Sequence, residues 1–235
     1  MRRILIVLAL VAGFFSSCSD EEVVLDPVKQ GYDYYPLEVG SYRIYHVTET
    51  RYRDNVGQTT EYERRELIDA ITKDQTGKEW YRVEVSRRET GASSWSVKGV
   101  KLLSASPTSL QVQENNRSTV LMVFPVVSGK TWVHDAFSKI STTDTIYAYE
   151  NAGEAFEMNS RKYDKTVKIL KNYYKDLLVL DYRYEVLAFQ VGPVYRHSKV
   201  YQYCNDGSGN ACERGVDYIQ EGNDVIEELV ETGKI

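Results

Sequence analysis

The stretch LVLDYRYEV, residues 178–186, changes side-chain character with a period of two. Leu178, Leu180, Tyr182, Tyr184 and Val186 fall on one side, and Asp181, Arg183 and Glu185 fall on the other. Successive side chains of a β-strand point to opposite faces, so this pattern predicts a half-buried antiparallel strand with the Leu, Tyr and Val positions inside and the charges wet. The same beat returns in Tyr81, Val83 and Val85 against Arg82, Glu84 and Ser86, and in Val167 and Ile169 around Lys168. Turn signals separate such runs at Asp54-Asn55-Val56-Gly57, Asp74-Gln75-Thr76-Gly77, Glu114-Asn115-Asn116 and Asn151-Ala152-Gly153. Roughly ten to thirteen strands fit the chain at ordinary strand lengths. Helical periodicity is nearly absent. Its best candidate is Asp224 to Gly233, with Val225, Ile226, Leu229 and Val230 on one face, and a final strand is the alternative there. The expected fold class is all-β and mostly antiparallel: a curved sheet forming a half-barrel or open sandwich, with little helix beyond a signal peptide.

That signal peptide is read from the first residues. Met1-Arg2-Arg3 is a short positive region, and Ile4 to Phe15 is an uncharged apolar stretch. Such a stretch has the length of a secretory signal core and is too short to span about 30 Å of hydrocarbon. Small residues Ser16 and Ser17 then precede Cys18. This order resembles the lipobox of bacterial lipoproteins, with Phe15 where that pattern favours Leu. The resemblance implies that residues 1–17 are removed and that Cys18 carries the lipid. Cys18-Ser19-Asp20-Glu21-Glu22 resembles the acidic tag that Bacteroidetes place after the lipidated cysteine to send lipoproteins across the outer membrane. It implies an outer-membrane anchor facing the cell exterior, with the periplasmic face as the alternative. A lipoprotein cysteine carries two or three acyl chains, and stable attachment takes at least two. Residues 18–31 then read as an acidic tether, and residues 32–235 as a single antiparallel β domain.

Removing seventeen of the 235 residues leaves 218, and the loss of Arg2 and Arg3 takes the formal charge from −5 to −7. An acidic chain without a basic patch argues against a nucleic-acid partner. The 19 tyrosines suit a pleated, half-buried surface and also supply contact groups at binding surfaces. Cys204 and Cys212 remain after lipidation, separated by NDGSGNA. In an oxidising compartment this spacing predicts a disulfide across a tight loop. Two cysteines without a nearby pair of histidines do not make a zinc site, and no cofactor is expected.

Two segments echo each other. Tyr35-Pro36-Leu37-Glu38-Val39-Gly40 and Phe124-Pro125-Val126-Val127-Ser128-Gly129 share aromatic-Pro-apolar-x-x-Gly, a corner leading into a strand. The segments YYPLEVGSYRIYHV, FPVVSGKTW and DYRYEVLAFQVGPVYRHSKVY resemble a family of uncharacterised Bacteroidetes surface lipoproteins. The chain departs from that family's pattern at Arg43, where Trp is usual, and around Gln190 and Pro193. The resemblance implies a curved antiparallel sheet and no established activity.

No Gly-x-Ser-x-Gly elbow, His-Glu-x-x-His pair or phosphate loop is present. His46, His134 and His197 are far apart; His46 and His134 follow the two Pro-Gly corners at similar distances, but a third ligand is lacking. Asp144-Thr145-Ile146 fits an Asp-Ser/Thr-apolar pattern for O-glycosylation at Thr145. The sequence therefore predicts a lipid-anchored binding or accessory module rather than an enzyme, with the membrane as one partner and a glycan or envelope protein as another. A half-barrel carrier of an acyl chain is the second reading, and an envelope hydrolase using paired carboxylates is the third.

Overall fold

The structure, a computed structural model, describes residues 26–137, 146–205, 212 and 218–235. Its strands are β1 (Ser41–Arg53), β2 (Val56–Lys73), β3 (Glu79–Glu89), β4 (Ser96–Ala105), β5 (Ser109–Glu114), β6 (Arg117–Val123), β7 (Thr131–Val133), β8 (Ile146–Met158), β9 (Arg161–Lys175), β10 (Val179–Ala188), β11 (Gly192–Tyr203) and β12 (Ile219–Lys234). They form one antiparallel sheet ordered β6-β5-β4-β3-β2-β1-β12-β11-β10-β9-β8-β7. Every neighbour is consecutive in the chain except β1 and β12. The sheet is thus two six-strand meanders, each opening on one of the Pro-Gly corners and joined through the first and last strands. Gly40 (φ 90°) and Gly129 (φ 82°) supply the left-handed backbone that those corners need.

The sheet curls until its edges meet, giving a nearly closed barrel of the expected all-β class. The seam between β6 and β7 is thin. Val120 N–H donates to His134 O at 2.6 Å and Trp132 Nε1 to Val120 O at 3.0 Å. The Tyr149 hydroxyl accepts from Val123 N–H and donates to Val123 O, both at 3.0 Å. The last segment is strand, not helix. It pairs with β1 on one side and β11 on the other, and two ladders outweigh the helical spacing of Val225, Ile226, Leu229 and Val230.

Register assigns the faces. Val83, opposite Ile68, points inward with Val167 and Ile169, as their alternation predicts. The phase of β10 is the reverse of the sequence expectation. Glu185, 2% exposed, lies inside opposite Arg196 and Ile169, whereas Tyr182 and Tyr184 stand outside. Glu185 can be buried because inward-facing cations from neighbouring strands compensate it.

Those cations belong to an ionic cluster across the barrel floor. Arg196 of β11 reaches Glu66 of β2 at 3.3 Å, Glu185 of β10 at 3.2 Å and Glu227 of β12 at 2.9 Å. Arg64 bonds Glu66 at 2.6 Å and Glu227 at 2.9 Å; Lys101 of β4 bonds Glu66 at 2.8 Å; Lys171 bonds Glu185 at 3.2 Å. Tyr45, fully buried, sits between the Arg64 and Arg196 guanidinium groups, 5.4 and 4.7 Å from its ring centre. Contacts from β2 to β11, with two strands between them, require a strongly concave sheet. Burial alone would raise the pKa of Glu66, but Arg196, Lys101 and Arg64 outweigh it and hold the carboxyl well below its ordinary range. Glu185 is also lowered: burial opposes, while Lys171 and Arg196 prevail.

One end of the barrel is plugged by the chain that leads into β1. A short helix, α1 (Pro27–Gln30), and a 3₁₀ turn (Tyr32–Tyr34) deliver Tyr34 and Tyr35 into the core beside Leu103, Leu110 and Phe124. Arg43 locks the plug. Its guanidinium donates to Val191 O at 2.7 Å and Pro36 O at 3.1 Å, and it lies 5.4 Å from the Tyr35 ring centre. A Cβ at Gly192 would stand 2.7 Å from that guanidinium, so Gly192 makes the room for it. On the outside, the β8–β9 hairpin folds over β12. Arg161 donates to Leu229 O and Val230 O, both at 2.8 Å, where β12 carries an extra residue against β1.

Two predictions follow from the cluster. Arg196→Met leaves Glu66 and Glu185 short of their shared cation and should cost about 3–5 kcal/mol, read as a lowered urea midpoint. Glu66 and Glu185 have folded pKa values below their ordinary 4.5. Their stabilisation is therefore complete above the unfolded value and is lost as pH falls through the folded ones. The thermal midpoint should hold from about pH 8 to pH 6 and drop below about pH 4.5; a midpoint that rises on acidification contradicts the assignment.

Candidate functional site

The concave face continues past the ionic floor toward the end opposite the plug. β1 and β12 carry it there, about 40 Å from the plugged end at strand rise. Inward positions follow in register. Glu49 opposes Thr60 and Val225; Arg51 opposes Gln58 and Asn223; Arg53 opposes Val56 and Glu221; Val200 and Gln202 of β11 complete the last two rows. The first row is still tied down, because buried Glu49 accepts from Arg51 Nε at 2.7 Å and from the Tyr62 hydroxyl at 3.4 Å. Beyond it the face opens into a cleft of about 880 Å³, lined by Arg51, Arg53, Gln58, Gln202, Glu221 and Asn223. That volume lies in the range of small-molecule sites.

The cleft's edge is fastened. Asp54 and Asn55 in the β1–β2 turn donate backbone N–H groups to Gln220 O and Ile219 O at 2.9 and 2.7 Å, and Asn55 Oδ1 accepts from Ile219 N at 3.1 Å. Two residues past Gln202, buried Cys204 is bridged to Cys212, with Cα atoms 6.1 Å apart. The expected disulfide is present and borders the site.

The outer face of β9–β12 carries a different group. Asp224 accepts from His197 Nε2 at 2.8 Å and from the Tyr201 hydroxyl at 2.9 Å, and pairs with Lys199 at 3.2 Å. Burial opposes ionisation of Asp224, but these three partners lower its pKa. The rings of Tyr182, Tyr184 and Tyr195 surround His197 at 6.2, 5.7 and 6.3 Å between centroids. Lys168 lies 4.6 Å from the Tyr184 ring centre and pairs with Glu150 at 2.8 Å. Each polar group there has a partner, so this face reads as a satisfied surface network.

An apolar notch of about 320 Å³ sits at the plugged end between Tyr32, Tyr35, Pro107, Leu110 and Phe124. It is at the small end of ligand-site volumes. Among the described residues, Tyr34, Tyr35 and the ionic floor fill the barrel interior beside it.

The sequence-derived site residues fare differently. Cys18, Ser19, Asp20, Glu21, Glu22 and Thr145 lie outside the described residues. The histidines do not meet: His46 stands outside on β1, 3.9 Å from Glu61; His134 stacks on Tyr147, 4.5 Å between ring centroids; His197 is on β11. Among the described residues no group of three or more His, Cys, Asp or Glu is placed to hold a metal ion. Paired carboxylates do occur, but Glu66, Glu185 and Glu227 share Arg196 on the floor. The cleft residues were not legible beforehand: β1 and β12 are the two ends of the chain, and only their pairing joins Arg53 to Glu221.

No family model and no curated protein matches the chain. Two solved structures do. One, from Bacteroides fragilis, is named as an exported protein with a YmcC-like fold; it is 10% identical, covers 84% of this chain and 98% of its own, and has a TM-score of 0.34. The other, from Parabacteroides distasonis, is named as a lipoprotein, with 10% identity, the same coverages and a TM-score of 0.32.

Thiol labelling of the denatured, unreduced protein should find neither Cys204 nor Cys212 free. Reduction should lower stability by about 2–3 kcal/mol for so short a loop, measured as a shift in the denaturation midpoint.

Proposed function

We propose that this chain is a lipid-anchored envelope protein that binds a ligand without transforming it, holding its cleft away from the membrane. The observation that carries the reading is the contrast between the two ends of the barrel. The end nearest the tether is filled by Tyr34 and Tyr35, and the opposite end opens into a polar cleft. Anchoring rests on the signal sequence and Cys18. The acidic Ser19–Glu22 stretch, by its resemblance to an export tag, supports an anchor at the outer membrane with the domain outside the cell. A disulfide between Cys204 and Cys212 suits an exported protein.

The carrier reading has less support, since the apolar notch among the described residues, about 320 Å³, is small for an acyl chain. The hydrolase reading needs a carboxyl kept protonated as a general acid. Glu66 and Glu185 are instead held ionised within the floor.

Membrane fractionation tests the anchor: Cys18→Ser should move the protein to the soluble fraction, and unchanged sedimentation with membranes removes the lipoprotein reading. Replacement of Asp20, Glu21 and Glu22 by Ala should reduce protease shaving on intact cells. Native mass spectrometry of the purified protein separates binding module from carrier. A stoichiometric noncovalent fatty acid would favour the carrier, and none is expected.

A further inference from the structure

We infer that the cleft at the open end is a binding site for a neutral oligosaccharide. The inference deepens the binding-module reading by naming its ligand class, and it rests on that reading. Its first support is the state of the lining. Arg53, Gln58, Gln202, Glu221 and Asn223 form no side-chain hydrogen bond or ion pair with any other described residue, unlike the outer-face network. Arg53 and Glu221 are register partners across β1 and β12, yet they do not close into an ion pair. Asn223 Oδ1 is shielded from solvent and has no hydrogen-bond partner. A buried polar atom left unsatisfied costs about 1–3 kcal/mol, and Asn223 belongs to the cleft lining, so a small turn of its amide toward the cleft would recover that cost from a ligand donor.

The second support is the mixture of chemistries, which selects by elimination. A polyanion would face Glu221 and Asp54, and a cation would face Arg51 and Arg53. An apolar ligand would find Val56 and Val200 among groups it could not satisfy. What remains is a ligand whose groups each donate and accept hydrogen bonds while carrying no charge. Sugar hydroxyls do both. Planar amides, guanidinium groups and carboxylates can each bridge two neighbouring hydroxyls through paired atoms. Val56 and Val200 offer the apolar contact that the C–H face of a sugar ring can use.

The third support is placement. The site is framed by β-strands and by a turn clipped to β12, with the Cys204–Cys212 bridge at its border, so its groups are held before a ligand arrives.

The test is isothermal titration of the full-length lipidated protein, solubilised in a sugar-free detergent. The titrants are neutral gluco-, manno-, xylo- and galacto-oligosaccharides of two to six units, with oligogalacturonate as the charged comparator. At least one neutral series should bind, with affinity rising with chain length until the cleft is filled. Gln58→Ala, Arg53→Ala and Asn223→Ala should each weaken that binding at least fivefold while leaving the thermal midpoint in place. Tyr173→Ser, on the outer face, should leave binding unchanged. Binding of oligogalacturonate alone, abolished by Arg53→Ala, would overturn the ligand class but leave the binding module standing. Binding of no sugar, or binding indifferent to all three cleft variants, overturns the inference, while the fractionation and mass-spectrometry results above still decide the anchor and the carrier independently.

Discussion

Arg196 sits where the two meanders are stitched together, and the barrel's shape depends on it. Its guanidinium serves carboxylates from β2, β10 and β12 at once. Those strands can converge on one side chain only if the sheet is bent sharply around β1 and β12. A buried ion pair is weak evidence for net stability, since apolar replacements of like volume often do as well. What such a network does well is select: a one-residue slip of any participating strand would turn its charge to the outside and strand the remaining ions. The floor is therefore best understood as the device that fixes register across the centre of a wide sheet.

This explains why the alternation in LVLDYRYEV gave the right element and the wrong side. Period-two patterning shows that a strand has two unlike faces; which one is inside depends on what the interior can neutralise. In β3 and β9 the interior beside Val83, Val167 and Ile169 is apolar, and the simple assignment holds. In β10 the interior beside Glu185 holds Arg196 and Lys171, and the assignment inverts. Tyr173, Tyr182, Tyr184 and Tyr195 then fall on the outer surface, in a row along β9–β11 whose ring centres lie 5.5, 5.0 and 5.7 Å apart, the first pair edge to face and the others tilted.

Other features lay within reach of the sequence for local reasons. The Pro-Gly corners, the cysteine pair and the turns at Asp54–Asn55, Asp74–Gly77 and Asn115–Asn116 each depend on a few adjacent residues and appear where the chain marks them. Asn151-Ala152-Gly153 is not a turn: it is a bulge inside β8, with Asn151 and Gly153 at positive φ between Glu150 and Glu154, and the chain reverses at Asn159–Ser160 instead. The cleft depends on nothing local. Its residues come from β1, β2, β11 and β12, and no spacing rule connects the fifty-third residue to the two hundred and twenty-first. Arg43 shows the same limit from another direction. As a departure from an aromatic position it looked like an irregularity, yet it ties down the plug, and Gly192 is its counterpart.

The pairing of β1 with β12 also sets an order of events. The first strand to be made finds one of its two neighbours only when the last is complete; until then a thirteen-residue edge stays unpaired. Contacts of such long sequence separation slow folding. The meander β1–β6 can begin to assemble, but the ionic floor needs both halves, because Glu66 lies in one and Arg196 in the other. The core can therefore close over its ionic floor only after β11 and β12 have joined the first meander, so closure is a late event in folding.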